Sequence, residues 1–267
     1  LGCAVIKRGE DHIIHFDLET ISDKYAPNGE HLCDDLIKLI LSVLFEPNVN
    51  NDEFAEDVVS QEKSNAKDRL NSLKNDKRSY ASIRCMDEMC EGQAFAVSRL
   101  GTVDGIDDIT PKSLYYHYKN IISSSPIDIY VCGETDVALI ENTIKEYIIS
   151  EPEFKTATLP QTEILIKNNE TEKKVTEKMD VTQGKLAIGF RTNTKPTDSD
   201  YTALLVLNSI YGGGAHSKLF NNVREKLSLA YFASSQLEKF KGLLVVNAGI
   251  EFKNVQKAYD ESIAQLD

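Results

Sequence analysis

The sequence predicts an α+β protein built of two lobes, on three observations. Segments with apolar residues at every second position, typical of strands, alternate with segments that have apolar residues every three or four positions, typical of helices. This mixture occurs in both halves of the chain and suits α+β layers. A polar stretch with prolines, residues 151–180, separates the halves and is typical of a linker, and 267 residues suffice for two domains of roughly 130 residues each.

The first half begins with a predicted hairpin. GCAVIKRGEDHIIHFDLETIS contains two extended stretches joined by the turn KRGED, and Ile14, Phe16 and Leu18 alternate with polar residues. DDLIKLILSVLFEPN follows with helical spacing and stops at Pro47. Residues 52–90 contain neither Gly nor Pro, which predicts one long, partly broken helix or two helices.

A helix, a buried strand and a second helix complete the first half. TPKSLYYHYKNIIS is predicted as a helix with Thr110 as its cap and Pro111 in its first turn. IDIYVCGETD is predicted as a buried strand that ends in a turn. VALIENTIKEYIIS has the spacing of the helix that follows it.

The second half contains the same mixture. GKLAIGFRTNT is predicted as a strand and DSDYTALLVLNSIYGGG as a helix ended by glycine. The turn Gly212–Gly214 leads to SKLFNNVREKLS, a predicted helix with Ser217 at its cap, and then to the strands AYFASSQLE and GLLVVNAGIE. The chain starts at Leu1 without a methionine and ends at Asp267 inside the predicted helix NVQKAYDESIAQLD, so we expect a fragment of a longer protein.

Composition excludes several classes of partner. The formal net charge is -12, whereas nucleic-acid-binding proteins usually carry a basic surface, so we expect no nucleic-acid partner. The longest apolar runs, residues 36–45 and 204–211, are shorter than the roughly 20 residues that span a bilayer, so we expect no membrane partner. The five cysteines show no repeated spacing and no signal peptide opens the chain, which predicts free thiols and a cytoplasmic protein.

The histidines do not form a metal motif in these residues. His12 and His15 make an HxxH pattern, but their apolar neighbours predict a strand, where the two side chains point to opposite faces. Neither HExxH nor HxxEH occurs in the chain, and His31 has a neighbouring Glu but no second His. These residues therefore cannot build a zinc peptidase site by themselves.

The stretch YGGGAHSKLFNNVREKLSLAY holds the strongest candidate site. Its glycines lack the strand and GK[ST] of a phosphate-binding loop, so they either let backbone pass close to another chain or only break a helix pair. Arg224 and Tyr231 share a face if the helix continues, whereas Tyr231 opens the next strand if the helix ends near Ser228. An Arg can hold peptide carbonyls and a Tyr hydroxyl can stabilise an oxyanion; on these residues alone, a surface Arg and a core Tyr stay the alternative.

This stretch resembles the C-terminal-domain signature of the pitrilysin/insulinase-type metallopeptidases and their mitochondrial processing peptidase relatives. The matching positions are a Gly pair, Ser, Leu-Phe, Arg and a Tyr seven residues later. VVSQEKSNAK, IDDITPKSLYYHY and YVCGETD agree upstream, so the resemblance covers nearly the whole chain and is closest to bacterial non-catalytic members. It implies two peptidase-like lobes, each a mostly antiparallel sheet packed with helices and both truncated: residues 1–155, a linker and first strand over 156–180, and residues 181–267.

The resemblance also implies a site. In the family zinc is bound by HxxEH and a Glu on a later helix, and the matching Glu here is Glu62, a third ligand only if an HxxEH lies upstream of Leu1. Lys63 departs from the acidic or apolar residue often found there. Arg224 and Tyr231 match the residues that contact substrate, with Tyr231 as a candidate oxyanion donor in a partner's site. Gly212, Gly213 and Ser217 complete the expected substrate-binding set.

The expected function is that of a non-catalytic subunit. It would bind peptide or unfolded polypeptide and close the chamber of an active zinc peptidase, as a homodimer or as a heterodimer with a paralogue. One alternative is an active zinc endopeptidase whose HxxEH lies upstream. Another is a scaffold that binds partners without handling peptide.

Overall fold

A computed structural model describes residues 4–10, 13–98, 100–149 and 172–267 and confirms the α+β class. Its contacts form two compact units. The first is drawn from Leu1–Ala66 and Val103–Leu159, and the second from Lys67–Thr102 and Pro160–Asp267. The expected lobe boundaries after residues 155 and 180 stay a prediction.

Strands and helices are interspersed along the described residues. The strands are β1 (Ala4–Glu10), β2 (Ile13–Glu19), β3 (Val49–Asn50), β4 (Glu53–Phe54), β5 (Gly184–Arg191), β6 (Ala230–Glu238) and β7 (Leu243–Ile250). The α-helices are α1 (Leu32–Phe45), α2 (Glu56–Leu73), α3 (Lys77–Met89), α4 (Val103–Asp107), α5 (Pro111–Ser124), α6 (Val137–Ile149), α7 (Tyr201–Gly212) and α8 (Val255–Ala264). A π-helix covers Leu219–Lys226. Within the described ranges, none of the helices combines the length and apolar character needed to cross a membrane.

The predicted N-terminal hairpin is confirmed, with a correction to its turn. β1 and β2 pair antiparallel from Ala4 opposite Glu19 to Glu10 opposite Ile13. The expected turn KRGED is wrong for its first four residues, because Lys7 to Glu10 continue the ladder. His15 lies on a strand as expected, where its Nε2 is 3.0 Å from Asp17 Oδ1. His12 lies outside the described residues.

Residues 52–90 form two helices, so the second of the two sequence interpretations is confirmed. α2 ends at Leu73 and α3 begins after Asp76, which caps it. The Asp76 carboxylate accepts from the backbone N–H groups of Arg78 and Ser79, at 3.1 and 3.2 Å, and from the Ser79 hydroxyl. These bonds lower the pKa of Asp76 and satisfy donors that a new helix leaves unpaired.

The cap of α5 is also confirmed. Thr110 Oγ1 accepts from the Ser113 backbone N–H at 3.1 Å, and Ser113 Oγ accepts from the Thr110 N–H at 2.9 Å. Pro111 occupies the first turn, where its missing N–H costs nothing. In the first unit, α5 packs on β4 through the rings of Phe54, Tyr115 and Tyr118.

The prediction of a buried strand at IDIYVCGETD is wrong. Residues 126–132 form no strand, and Tyr130 is 90% exposed. An extended segment needs a neighbouring strand to satisfy its backbone groups, and none of the described strands pairs with this one. The apolar composition of a segment therefore carries no information about whether a partner strand exists.

The second unit is built on a three-stranded antiparallel sheet in the order β5–β7–β6. Every residue of the central strand β7 is buried, because helices cover both faces of the sheet. On one face α7, the π-helix and α8 enclose the core of this unit, made of Ile188, Tyr211, Leu219, Val223, Ala230, Ala233, Leu244, Val246, Ala248, Ile250 and Ala258. On the other face α3 lies across β5 and β7, where Asn247 Nδ2 donates to Ser82 Oγ at 3.5 Å.

Four cysteines belong to the described residues, and all four are free thiols: Cys33, Cys85, Cys90 and Cys132. Burial raises the pKa of Cys85 to about 11 and also raises that of Cys90. Cys85 lies where α3 packs on β5, and Cys90 ends α3. Cys3 lies outside the described residues.

Candidate functional site: the Arg224–Tyr231 surface

Gly212 allows α7 to end directly against β6. A Cβ atom at this position would lie 2.5 Å from the backbone nitrogen of Ser235 and 2.8 Å from Leu219 Cδ1. A backbone atom cannot yield, so only glycine fits. At Gly213 an added Cβ would lie 2.8 Å from the Cα of Ser209. Both glycines serve close packing, and their predicted contact with substrate stays a prediction.

Ser217 starts the turn that follows. Its side chain is fully buried, and its hydroxyl accepts from the Phe220 backbone N–H at 3.3 Å. The Asn221 N–H donates to the Ser217 carbonyl at 2.9 Å, so the residue caps the next helix as expected. The structure places Ser217 beneath the candidate surface, and its predicted substrate contact stays a prediction.

The helix that carries Arg224 is a π-helix where an ordinary helix was predicted. The Leu227 N–H donates to the Asn222 carbonyl, five residues back, at 3.0 Å. The helix ends at Lys226, and Ser228 takes a φ of 50° to turn the chain into β6. Tyr231 therefore opens the next strand, which confirms the second of the two sequence interpretations. Short π-helical segments of this kind are rare and concentrate at functional sites.

A β-bulge places Tyr231 outside the regular ladder. Ala230 lies opposite Ile250 and Phe232 lies opposite Gly249, so Tyr231 is the extra residue of β6. Arg224 Nε donates to the Tyr231 carbonyl oxygen at 3.0 Å. The guanidinium also lies over the Phe220 ring, 4.5 Å from its centroid. Arg224 thus holds the bulge in place.

The Tyr231 side chain takes no part in the Arg224 hydrogen bond and is 52% exposed. Its hydroxyl donates to Glu251 Oε1 at 3.4 Å, and Glu251 Oε2 lies 2.7 Å from Lys253 Nζ. Lys253 and then the Tyr231 hydroxyl hold the pKa of Glu251 below its usual range. The surface therefore offers an accessible phenol with a fixed acceptor beside it.

Arg224 and Tyr231 are brought together as expected, but through the main chain of Tyr231 and not through its hydroxyl. Among the described residues the second terminal nitrogen, Nη2, has no hydrogen-bond or ion-pair partner, while Nη1 lies 3.2 Å from Glu225 Oε1. The guanidinium has five N–H donors in all. Donors remain for the carbonyls of a bound chain.

Sequence reasoning missed the neighbours of the motif: Phe220, Glu251 and Lys253. Phe220 stands four residues before Arg224, a spacing that puts residues on one helical face, so it could have been found. Glu251 lies twenty residues after Tyr231. Only the pairing of β6 with β7 brings Glu251 near Tyr231, and the local sequence pattern does not predict the register of that pairing.

Glu62 lies on α2 in the first unit and is exposed. It accepts from Asn65 Nδ2 at 3.3 Å, a neighbour on the same helix. Lys63, beside it, donates to the carbonyl oxygens of Asp107 and Ile109 at 3.0 and 2.6 Å. The unusual lysine therefore fastens α2 to the end of α4.

The described residues do not fit a zinc site. A zinc ion in a peptidase takes three protein ligands that converge on one point. Within the ranges that the structure covers, no three His, Cys, Asp or Glu side chains come together in this way. Glu62 is therefore a candidate ligand without companions, and no chemistry is assigned to a metal in this chain.

Residues 108–267, more than half of the chain, match a protein-family model described as Peptidase M16 inactive domain. The chain belongs to the peptidase M16 family, which confirms the resemblance to pitrilysin-type metallopeptidases. It is 41% identical over 257 residues to the probable inactive metalloprotease YmfF of Bacillus subtilis (strain 168), covering 94% of this chain and 58% of that protein. Both descriptions agree with the expectation of a non-catalytic family member.

Solved structures share the fold. A conserved protein from Enterococcus faecalis V583 superposes with a TM-score of 0.84 at 30% identity, over 99% of this chain and 61% of that one. A protease from Helicobacter pylori gives a TM-score of 0.70 at 18% identity, over 98% of this chain and 61% of that one. The chain thus spans about three fifths of the length of these relatives.

Proposed function

We propose that this chain is part of a non-catalytic M16 subunit that binds peptide or unfolded polypeptide and completes the chamber of an active zinc peptidase. The observation that carries the proposal is the bulge at Tyr231. Arg224 fixes the main chain at the bulge. The phenol of Tyr231 is therefore exposed at the beginning of strand β6. An exposed side chain held this firmly by its neighbours favours a binding role over a packing role.

Peptide is the ligand that suits these groups. A polypeptide chain carries a carbonyl acceptor at every residue. The remaining N–H groups of Arg224 can donate to such carbonyls, and so can the Tyr231 hydroxyl once it leaves Glu251. Glu251, beside the Tyr231 hydroxyl, is an acceptor for a peptide N–H. The three groups together match the alternating donors and acceptors of an extended chain.

The non-catalytic role is supported from the first unit. Glu62 bonds to an amide on its own helix, and Lys63 serves as a structural tie. Family membership in the inactive domain and the similarity to YmfF point the same way. Any zinc would then belong to an active partner, which we propose to be a paralogue, in the cytoplasm. A homodimer of this subunit would hold no zinc.

The test uses the full-length protein purified alone, with fluorescein-labelled, reduced and alkylated α-lactalbumin as an unfolded probe. We expect saturable binding in fluorescence anisotropy, weakened about three- to tenfold by Tyr231→Phe because one hydrogen bond is lost. Tyr116→Phe is the matched control, since Tyr116 on α5 is equally exposed at 52%. Equal effects of the two substitutions, or no binding at all, would count against a peptide site at Tyr231.

Two further readouts separate the alternatives. An active endopeptidase would carry about one zinc per full-length chain, lost on Glu62→Gln, and would cleave the probe unaided. A scaffold would bind its partner but show no change in the partner's peptidase activity on Tyr231→Phe. The proposed subunit would lack zinc, and Tyr231→Phe would lower the activity of the assembled pair without dissociating it.

A further inference from the structure

A row of three residues crosses the sheet next to Tyr231. Gly249 of β7 lies opposite Lys185 of β5 on one side and opposite Phe232 of β6 on the other. A Cβ at Gly249 would lie 2.5 Å from Phe232 Cε1, so the missing side chain lets the Phe232 ring lie across β7. The ring therefore extends towards Lys185.

Two cations share this ring. The guanidinium carbon of Arg78, at the start of α3, lies 4.3 Å from the Phe232 centroid, and Lys185 Nζ lies 5.7 Å from it. Cations are attracted to the negative face of an aromatic ring, which helps to hold both side chains here. Two like charges near one ring also repel each other, and a bound anion close to both would offset that repulsion.

Neither cation forms an ion pair with an acid among the residues that the structure describes, although the charge of Arg78 acts on nearby Asp76. Arg78 Nη2 donates to Ser234 Oγ at 3.2 Å, and Lys185 Nζ donates to Gln183 Oε1 at 3.3 Å, both neutral acceptors. The nearest acid along α3, Asp76, uses its carboxylate to cap that helix. In a chain with a formal net charge of -12, two cations near one ring that form no ion pair are a candidate site for an acidic group of a ligand.

We propose that Arg78 and Lys185, over Phe232, bind a carboxylate of the peptide that contacts Tyr231. The inference rests on the proposed function and adds a preference for Asp or Glu at one position of the bound chain. Phe232 follows Tyr231 directly in β6, so an extended peptide bound along this end of the strand would be long enough to reach both. Arg supplies paired donors that match the two oxygens of a carboxylate, and Lys adds a point charge.

The experiment measures the binding of fluorescein-labelled, C-terminally amidated peptides that differ only by Glu or Gln at one scanned position. Full-length protein should bind the Glu peptide about tenfold more tightly at the best position, and added salt should reduce this ratio. Arg78→Met and Lys185→Met each keep an apolar stem and should lower the ratio to about threefold or less. Arg78→Glu should reverse the preference and favour Lys over Gln.

Lys239→Met is the matched control. Lys239 stacks on Phe240 at 4.8 Å, just beyond the far end of β6, so the substitution removes one cation–ring contact and leaves the proposed subsite intact. The Glu/Gln ratio should stay at its wild-type value. Because Arg78 also bonds to Ser234, Lys185→Met supplies a second test that does not disturb this bond.

Three outcomes would overturn the inference, and they are distinguishable. If both peptides bind equally while Tyr231→Phe still weakens them, the carboxylate preference is wrong and the peptide site stands. If only a free C-terminal carboxylate raises affinity, the side-chain preference is wrong and the cations hold a chain end. If no peptide binds to the wild type, the proposed function fails together with the inference.

Discussion

Arg224 donates its Nε–H to the main-chain oxygen of Tyr231, while the Tyr231 hydroxyl turns to Glu251. The two residues of the motif thus have different tasks. Arg224 fixes where the chain leaves the ladder, and Tyr231 presents a functional group at that point. This division leads to separate predictions for stability and for binding.

Arg224→Ala should lower the free energy of unfolding by about 1–2 kcal/mol, because the bulge carbonyl loses a charge-assisted hydrogen bond and Phe220 loses its stacking partner. The expected loss is small because the Arg224 side chain is 39% exposed, and water screens the charge of an exposed group. Urea denaturation measures the change. Lys226→Ala, at the exposed end of the same π-helix, should change it by less than about 0.5 kcal/mol. A similar loss for both substitutions would mean that the bulge does not depend on Arg224.

Gly212→Ala should destabilise the protein by about 1–3 kcal/mol, because the new Cβ would meet the backbone of Ser235. Gly214→Ala is the matched control. Its Cβ would approach only the His216 ring, at 3.2 Å, and that side chain can rotate away. Thermal unfolding of both variants compares them directly. If Gly212→Ala is tolerated as well as Gly214→Ala, α7 does not pack against β6 as closely as described.

Lys63→Met should cost about 1–2 kcal/mol, since the carbonyls of Asp107 and Ile109 lose a charged donor. Glu62→Gln should be close to neutral, because an amide oxygen can still accept from Asn65. Hydrogen exchange at the amides from α4 to α5 should quicken in the first variant only. Faster exchange in both, or in neither, contradicts the tie between α2 and α4.

The segment before β5 should loosen in acid. Glu177 accepts from Arg84 Nε at 2.9 Å and from the Tyr80 hydroxyl at 2.8 Å, and these bonds hold the pKa of Glu177 below its usual range. A lowered pKa in the folded state contributes stability above the unfolded pKa, and this is lost as the pH falls through the folded value. The stability advantage of wild type over Glu177→Gln should therefore be constant near pH 7.

That advantage should then shrink as the pH falls below the usual glutamate range. Urea titrations of both proteins at a series of pH values measure it. Glu172→Gln should show the same direction at a second place, because bonds from Tyr259 on α8 and from Lys174 also hold the pKa of Glu172 below its usual range. An advantage that grows in acid would reverse the sign and rule out the Arg84 contact as its source.

Short sequence patterns were enough to predict where several helices begin. The cap at Thr110, the proline after it and the cap at Ser217 were all predicted from short patterns, because the atoms that satisfy each helix start lie within three residues. The break between α2 and α3 was foreseen only as an alternative. Asp76 decides it, and a capping aspartate looks the same in sequence as a surface charge.

Features that depend on a distant partner could not be predicted. Residues 126–132 have strand-like composition but no partner among the described strands. Phe232 and Lys185 meet only because Gly249 pairs with both. Arg78 reaches Ser234 across 156 positions of sequence. The motif itself identified Arg224 and Tyr231, while the register of the sheet determined their neighbours.

Because Tyr231 is an extra residue in β6, a deletion could remove the exposed phenol without disrupting the sheet. Removing the codon for Tyr231 would leave Ala230 and Phe232 opposite Ile250 and Gly249 in an uninterrupted ladder. The core of the unit would survive, yet no tyrosine would stand out from the strand. Evolution could therefore remove this surface by a one-residue deletion and keep a folded protein. The length of β6 in a homologous sequence should then indicate whether the homologue retains the surface.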